Sequence, residues 1–139
     1  QYPVDMRFIE MMPMCDSSGF EPDAYIPYTR VLDILPKAEP IAKDGSVAKL
    51  YHLPGAQGNI GLISPVSAHF CNECNRIRMT AGKVKPCLHS NAEFPLKGQD
   101  FKGMYAQMKA AIWEKPKWHG ELDAAHKSGA GRTMNQIGG

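Results

Sequence analysis

The sequence predicts an α+β fold: a small antiparallel sheet carrying a cysteine loop, with helices packed on it. Three observations carry this expectation. Segments at about 47–53 and 59–64 have strand composition and are joined by Pro54-Gly55-Ala56-Gln57-Gly58, where glycine permits positive φ. Arg76 to Thr80 alternates polar and apolar residues, turns at Ala81-Gly82-Lys83 and returns over Val84 to Leu88, a hairpin pattern. From about Gln99 to Glu114, Phe101, Met104, Tyr105, Met108 and Ile112 recur at helical spacing, which reads as a core-facing stripe.

In chain order, residues 5–12 come first. Phe8, Ile9, Met11 and Met12 make this run apolar enough for a strand of a parallel sheet buried on both faces, with Arg7 and Glu10 interrupting it. Pro13, Ser17-Ser18-Gly19 and Pro22 give 13–26 the composition of an exposed loop. Pro27 to Leu35 reads as a short helix, since Val31, Leu32 and Leu35 share a face and Pro36 stops it. A polar linker, 37–46, leads into the two strands and the cysteine loop, and the hairpin joins those strands in one sheet. Residues 89–98 form a loop before the long helix, which Lys115-Pro116 ends. The last segment, Ala124 to Gly139, contains Ser128-Gly129-Ala130-Gly131 and a closing glycine pair and reads as a flexible tail.

Composition bounds the partners. The 139 residues are enough for one domain with a core, and 43% hydrophobic against 22% charged residues describes a soluble globular protein. A formal charge of +2 gives no reason to expect nucleic acid. No run has membrane-spanning length and no signal peptide is visible, so a cytoplasmic location is expected. Gln1-Tyr2-Pro3 precedes a strand directly with no initiator methionine, as in an excised piece of a longer protein.

The chemistry concentrates between His69 and His89. Cys71 and Cys74 lie three apart and can grip one metal centre from a tight loop, and the hairpin brings back Cys87. Three thiolates suit a four-iron cluster with one open iron. They equally suit a Cys3His zinc site completed by His69 or His89. A disulfide is the weaker reading, since nothing indicates secretion. Cys15 lies far off and reads as an ordinary buried or loop thiol, and His52, His119 and His126 as solvated or structural groups. Strand alternation places Arg76 and Arg78 on one face beside the metal loop, where their forks match phosphate or carboxylate. The bland alternative pairs each with a nearby carboxylate such as Glu73.

Phe70 to Leu88, FCNECNRIRMTAGKVKPCL, resembles the second cluster motif of the GTP 3',8-cyclase family, radical S-adenosylmethionine enzymes of molybdenum cofactor biosynthesis. Met6-Arg7-Phe8-Ile9-Glu10-Met11-Met12-Pro13 is similar to that family's last barrel strand. Val47 to Tyr51 and Gly58 to Ser67 are similar to its strands ahead of the cysteine loop, and Met134 to Gly139 to its twin-glycine tail. One departure is visible: the spacing between Cys74 and Cys87 is one residue shorter than usual, and Ala81-Gly82 lacks the family's aspartate, so the hairpin tip is tightened.

The resemblance implies a division into 1–12, the final strand of a partial TIM-type barrel; 13–123, a C-terminal domain; and the tail 124–139. It implies a 4Fe-4S cluster on Cys71, Cys74 and Cys87, with GTP bound by Arg7, Arg76, Ile77 and Arg78. Met12 would lie near the adenine of S-adenosylmethionine and the tail would thread into the active site. A plain salt bridge for Arg7 and a core role for Met12 stand beside these readings. The family's Cys-x3-Cys-x2-Cys motif is absent, so the chain alone is expected to be inactive without the missing N-terminal radical domain. In the intact enzyme, a 5'-deoxyadenosyl radical made there abstracts the ribose C3' hydrogen and C3' attacks C8 of guanine. A second copy of the chain, in a homodimer, is a further candidate partner. Three functions therefore stand: the substrate-side part of a GTP 3',8-cyclase, a zinc hairpin in a binding module, and the auxiliary-cluster domain of another radical enzyme.

Overall fold

The chain is α+β, with two small open sheets rather than one. The computed structural model describes residues 3–14, 25–42, 45–123, 126–132 and 136. Strands β3 (Lys49–His52) and β4 (Asn59–Ile63) form the predicted antiparallel pair, Lys49 opposite Leu62 and His52 opposite Asn59. Strand β1 (Met6–Ile9) adds in parallel to β4, and β2 (Glu39–Pro40), inside the expected linker, adds to β3. The order is β1-β4-β3-β2, and alternation buries Leu50, Ile60 and Leu62.

Two expectations are corrected here. The cysteine hairpin does not join this sheet. Its strands β5 (Arg78–Thr80) and β6 (Lys83–Lys85) pair with a short β7 (Phe94–Pro95) in a second sheet. Nor is β1 buried on both faces: Met6, Phe8 and Ile9 are 55%, 41% and 61% exposed. Its apolar run reads like a central strand, yet β1 is an edge, bonded among the described residues to β4 alone.

The second sheet is closed by its turn. Gly82 has φ +85°, and its carbonyl accepts the N–H groups of Leu96 and Lys97 at 2.8 and 3.0 Å, which draws β7 alongside β6. A Cβ on Gly82 would stand 2.8 Å from Lys97 Cβ, so glycine is required twice over. Helix α1 (Thr29–Ile34) lies within the predicted span and buries no residue. Helix α2 (Phe101–Trp113) is capped by Asp100, whose carboxylate accepts the Gly103 N–H at 2.7 Å, and it packs on β6 and β7.

The expected stripe of α2 is largely on the wrong face. Phe101, Tyr105 and Ile112 are 82%, 62% and 52% exposed, and of the predicted five only Met108 joins the core of Val84, Leu96, Ala111, Ile77 and Phe94. The sheet side already supplies Phe94, Leu96 and Ile77, so the helix meets it through alanine. No helix among the described residues is long and apolar enough to cross a membrane. The expected flexible tail also departs from expectation, because residues 128–132 are packed: the Ser128 N–H donates to Pro13 O at 2.7 Å, and Ala130 is buried against Met14.

Glu10 fastens these parts together. It is 4% exposed at the end of β1, yet its carboxylate accepts the N–H groups of Tyr28 (2.9 Å), Val66 (3.1 Å) and Ser67 (3.0 Å), and the Ser67 hydroxyl. A buried carboxylate so surrounded is compensated for lost hydration. Glu10→Ala would strand these donors, and we expect it to lower unfolding stability by about 3 kcal/mol in urea titration, with Glu10→Gln intermediate. A glutamine variant as stable as the parent would mean the charge contributes nothing.

Candidate metal centre

The cysteine loop hangs from the segment that Glu10 grips. Beyond β4, Ser64 is buried and its hydroxyl donates to Ala68 O at 3.3 Å, so the chain turns back at once. Residues Cys71–Glu73 then make one tight 3-10 turn, closed by Glu73 N–H to Phe70 O (3.1 Å) and Cys74 N–H to Cys71 O (3.3 Å). The β5–β6 hairpin returns through buried Pro86 to Cys87. All three thiols are free and half-buried.

They border one cavity of about 230 Å³. Ile9 and Met12 from the end of β1, with Val47, Ile63, Pro65, Phe70 and Leu88, give it apolar walls. Arg76, Arg78, Lys115, His89 and His119 supply the polar part, and among the described residues no carboxylate lines it. Three soft thiol donors with imidazoles beside them fit a thiophilic metal centre by ligand chemistry. Among the described residues, no three Cys, His, Asp or Glu side chains stand close enough together to chelate an ion as placed, so binding requires the loop and the hairpin leg to draw inward. For the zinc alternative, His89 is bonded through Nδ1 to Ser128 Oγ at 2.9 Å, while the His69 ring leans on Trp118 and His119, with centroids 5.7 and 5.8 Å apart.

Electrostatics favours anions throughout. Arg78 stands directly opposite Lys85 in the β5–β6 register, a like-charge pair that costs a sheet stability unless something negative lies near. Lys85 is 1% exposed, and burial pulls its ammonium below the ordinary lysine value, partly offset by Glu93. Burial pushes the Cys71 thiol up, and a hydrogen bond from the His119 backbone N–H pulls it back. His89 is driven to about 4, first by burial and then by the positive fields of His119 and Lys85.

Lys115 was read from sequence only as a helix stop. Its ammonium donates to Arg76 O at 2.6 Å and Pro86 O at 3.1 Å, tying the strand that leaves Cys74 to the strand that enters Cys87. A cation at the end of a helix is the only sequence signal it carries. His119, read as solvated or structural, is structural: its ring spans Pro65 O (Nε2, 3.0 Å) and Gly120 O (Nδ1, 2.7 Å). Of the other predicted site residues, Met12, Arg76 and Arg78 border the cavity with the three cysteines, whereas Arg7 sits on exposed β1 and Ile77 in the core under α2. Cys15 and the terminal glycine pair lie outside the described residues.

Two outcomes follow from this geometry. Lys115→Met should lower stability by about 1–2 kcal/mol, the range of a partly exposed charged hydrogen bond, and should speed alkylation of Cys87 in the metal-free chain. Unchanged Cys87 reactivity would remove Lys115 from the site. In the metal-free chain His89 binds its proton only near pH 4 when folded but near 6.5 when unfolded, so folding releases a proton between those values. Stability should therefore fall as pH drops from 6.5 to 4, by an amount on the order of 2–3 kcal/mol, and His89→Gln should flatten that slope in urea titrations across the range.

With the geometry in hand, the chain can be set beside known proteins. Residues 4–121 match the family Molybdenum Cofactor Synthesis C. The chain is 42% identical over 142 residues to the GTP 3',8-cyclase of Alkaliphilus metalliredigens, covering 99% of this chain and 44% of that protein. It is 39% identical over 142 residues to the GTP 3',8-cyclase of Alkaliphilus oremlandii, with the same coverage, and 36% identical over 151 residues to that of Pelotomaculum thermopropionicum, with 99% and 45% covered. The chain thus spans less than half the length of these relatives.

Proposed function

Because this chain belongs to the Molybdenum Cofactor Synthesis C family, we propose that it is the C-terminal, substrate-side part of a GTP 3',8-cyclase. In this reading residues 1–12 supply the last strand of a partial TIM-type barrel, 13–123 the ligand-binding domain and 124–139 a tail. One observation carries the proposal: three thiols and three basic side chains, Arg76, Arg78 and Lys115, border one cavity, with no carboxylate lining it among the described residues. A zinc hairpin with a purely structural role needs the thiols and has no use for the cations.

Cys71, Cys74 and Cys87 would hold a 4Fe-4S cluster, whose open iron can bind a purine and polarise it. The rest falls to the protein's own groups. Arg76 and Arg78 both border the cavity, although β5 begins only at Arg78 and strand alternation does not set the face of Arg76. Each would offer its guanidinium to a polyphosphate, and charge-assisted contacts of this kind contribute about 1.5–3 kcal/mol each. Ile9, Met12 and Phe70, which line the cavity, would exclude water from the ligand, and Met12 would lie near the adenine of S-adenosylmethionine. Arg7 and Ile77, which do not border the cavity, would contribute through β1 and the β5 backbone respectively. The chain alone is proposed to be inactive, since radical generation belongs to the missing N-terminal domain. GTP and a second copy of the chain are the proposed partners.

The test joins metal and anion binding. After anaerobic reconstitution, Cys71→Ser, Cys74→Ser and Cys87→Ser should each lose iron and sulfide, whereas Cys15→Ser should retain them. In the full-length protein at fixed salt, Arg76→Ala and Arg78→Ala should weaken GTP binding at least tenfold more than Lys109→Ala, an exposed charge on α2. Tightly bound zinc in place of iron, or equal losses for all three charge variants, would overturn the proposal.

A further inference from the structure

The last described stretch of the chain is built into the domain by an arrangement the proposed function does not use. Asn91 meets the backbone of this stretch twice: its amide nitrogen donates to Gly129 O and its Oδ1 accepts the Gly131 N–H at 2.8 Å. One side-chain amide thus pairs with the segment as a strand neighbour would, independently of side-chain identity. Two residues on, Glu93 receives Arg132 as a fork, Nε to Oε1 at 2.7 Å and Nη2 to Oε2 at 3.0 Å, while Lys83 holds Oε2 from the other side at 2.8 Å. The carboxylate side chain is 13% exposed, a setting in which a bidentate pair outweighs a surface one.

Between these two anchors the segment turns its small residue inward. Ala130 is 3% exposed and packs with Met14, Met12 and Leu88. Its N–H donates to Ser128 Oγ at 3.2 Å, and the same oxygen is bonded to His89 Nδ1. Met12, Leu88 and His89 all border the cavity. The segment therefore stands directly behind one cavity wall.

We propose that Asn91 and Glu93 form a latch that seats residues 128–132 behind this wall, so that Asn91, Glu93 and Arg132 are positioning residues for Met12, Leu88 and His89. The latch acts whatever ligand the cavity takes, so its test needs neither nucleotide nor metal, and its failure leaves the proposed function untouched.

The experiment uses the whole chain. Trypsin cuts after Lys127, and its access there reports opening of the segment. Asn91→Ala and Arg132→Gln should each accelerate cleavage at Lys127 by at least about tenfold, the effect of losing roughly 1.4 kcal/mol of local stability. The pair Glu93→Arg with Arg132→Glu should restore part of the protection that either change alone removes, which a generally loosened fold would not do. Methionine methyl NMR supplies the second readout: the Met12 and Met14 resonances should move in Arg132→Gln while Met108, in the other core, stays put. Equal cleavage in parent and variants would overturn the latch. Faster cleavage with an unmoved Met12 signal would overturn its link to the cavity wall.

Discussion

A single buried carboxylate decides how this domain is assembled. Glu10 ends a strand whose residues are all exposed, so β1 contributes little apolar burial of its own to its place in the fold. What it contributes is a set of acceptors. Three backbone N–H groups, from α1's start and from the turn after β4, converge on this one buried carboxylate. The penalty for leaving such donors unmade is larger than the net gain from making them. The turn at 66–67 is therefore determined by Glu10, and the cysteine loop begins only four residues beyond it. The cysteine loop takes its starting point from that contact.

The site itself runs against the usual economy of a fold. Arg78 faces Lys85, Lys115 holds two carbonyls beside three thiols, and His89 sits in a field that keeps it neutral. A domain selected for stability alone would place carboxylates here. Glu93, whose charge partly offsets that of Lys85, is already claimed by Lys83 and Arg132. Local inconsistency of this kind is where function is expected to show. A negatively charged ligand, thiolates bound to metal, or both would remove the conflict.

Much of this was legible in the residues. Hairpin, cysteine loop and the long helix ended by Lys115-Pro116 all announce themselves through short-range pattern, because turn chemistry and periodicity act over a few residues. What was illegible depended on distant partners. Periodicity located α2 but not its buried face, since Phe94 and Leu96, contributed by a two-residue strand and its neighbour, had already filled the interface. β1 reads as a central strand because apolar runs do not say how many neighbours a strand has. Nothing local reveals what Lys115 and Glu10 do, since each matters through contacts with segments remote in sequence, Lys115 across 29 and 39 residues and Glu10 across 18, 56 and 57. Ser128 to Arg132 looks like a loose end by composition, yet small residues are what let it lie flat against Met12 and Met14.

The hairpin tip, which the resemblance implies is one residue short, illustrates the same division between local and distant control. Thr80 stands opposite Lys83, so Ala81 and Gly82 alone form the loop, and the positive φ is confined to Gly82. Removing a residue from such a tip has two structural solutions. Either the loop changes its turn, or the strands slip by one and every side chain on β6 changes face. A slip would turn Val84, which is fully buried under α2, toward the opposite face and bring a lysine into its place. That costs far more than a tighter turn, so the register holds and the tip absorbs the change. Cys87 then takes its position from three things that the tip does not touch: the Arg78–Lys85 pairing, the buried Pro86, and the ammonium of Lys115 on the Pro86 carbonyl. Cys87 is in this way insulated from length variation a few residues away.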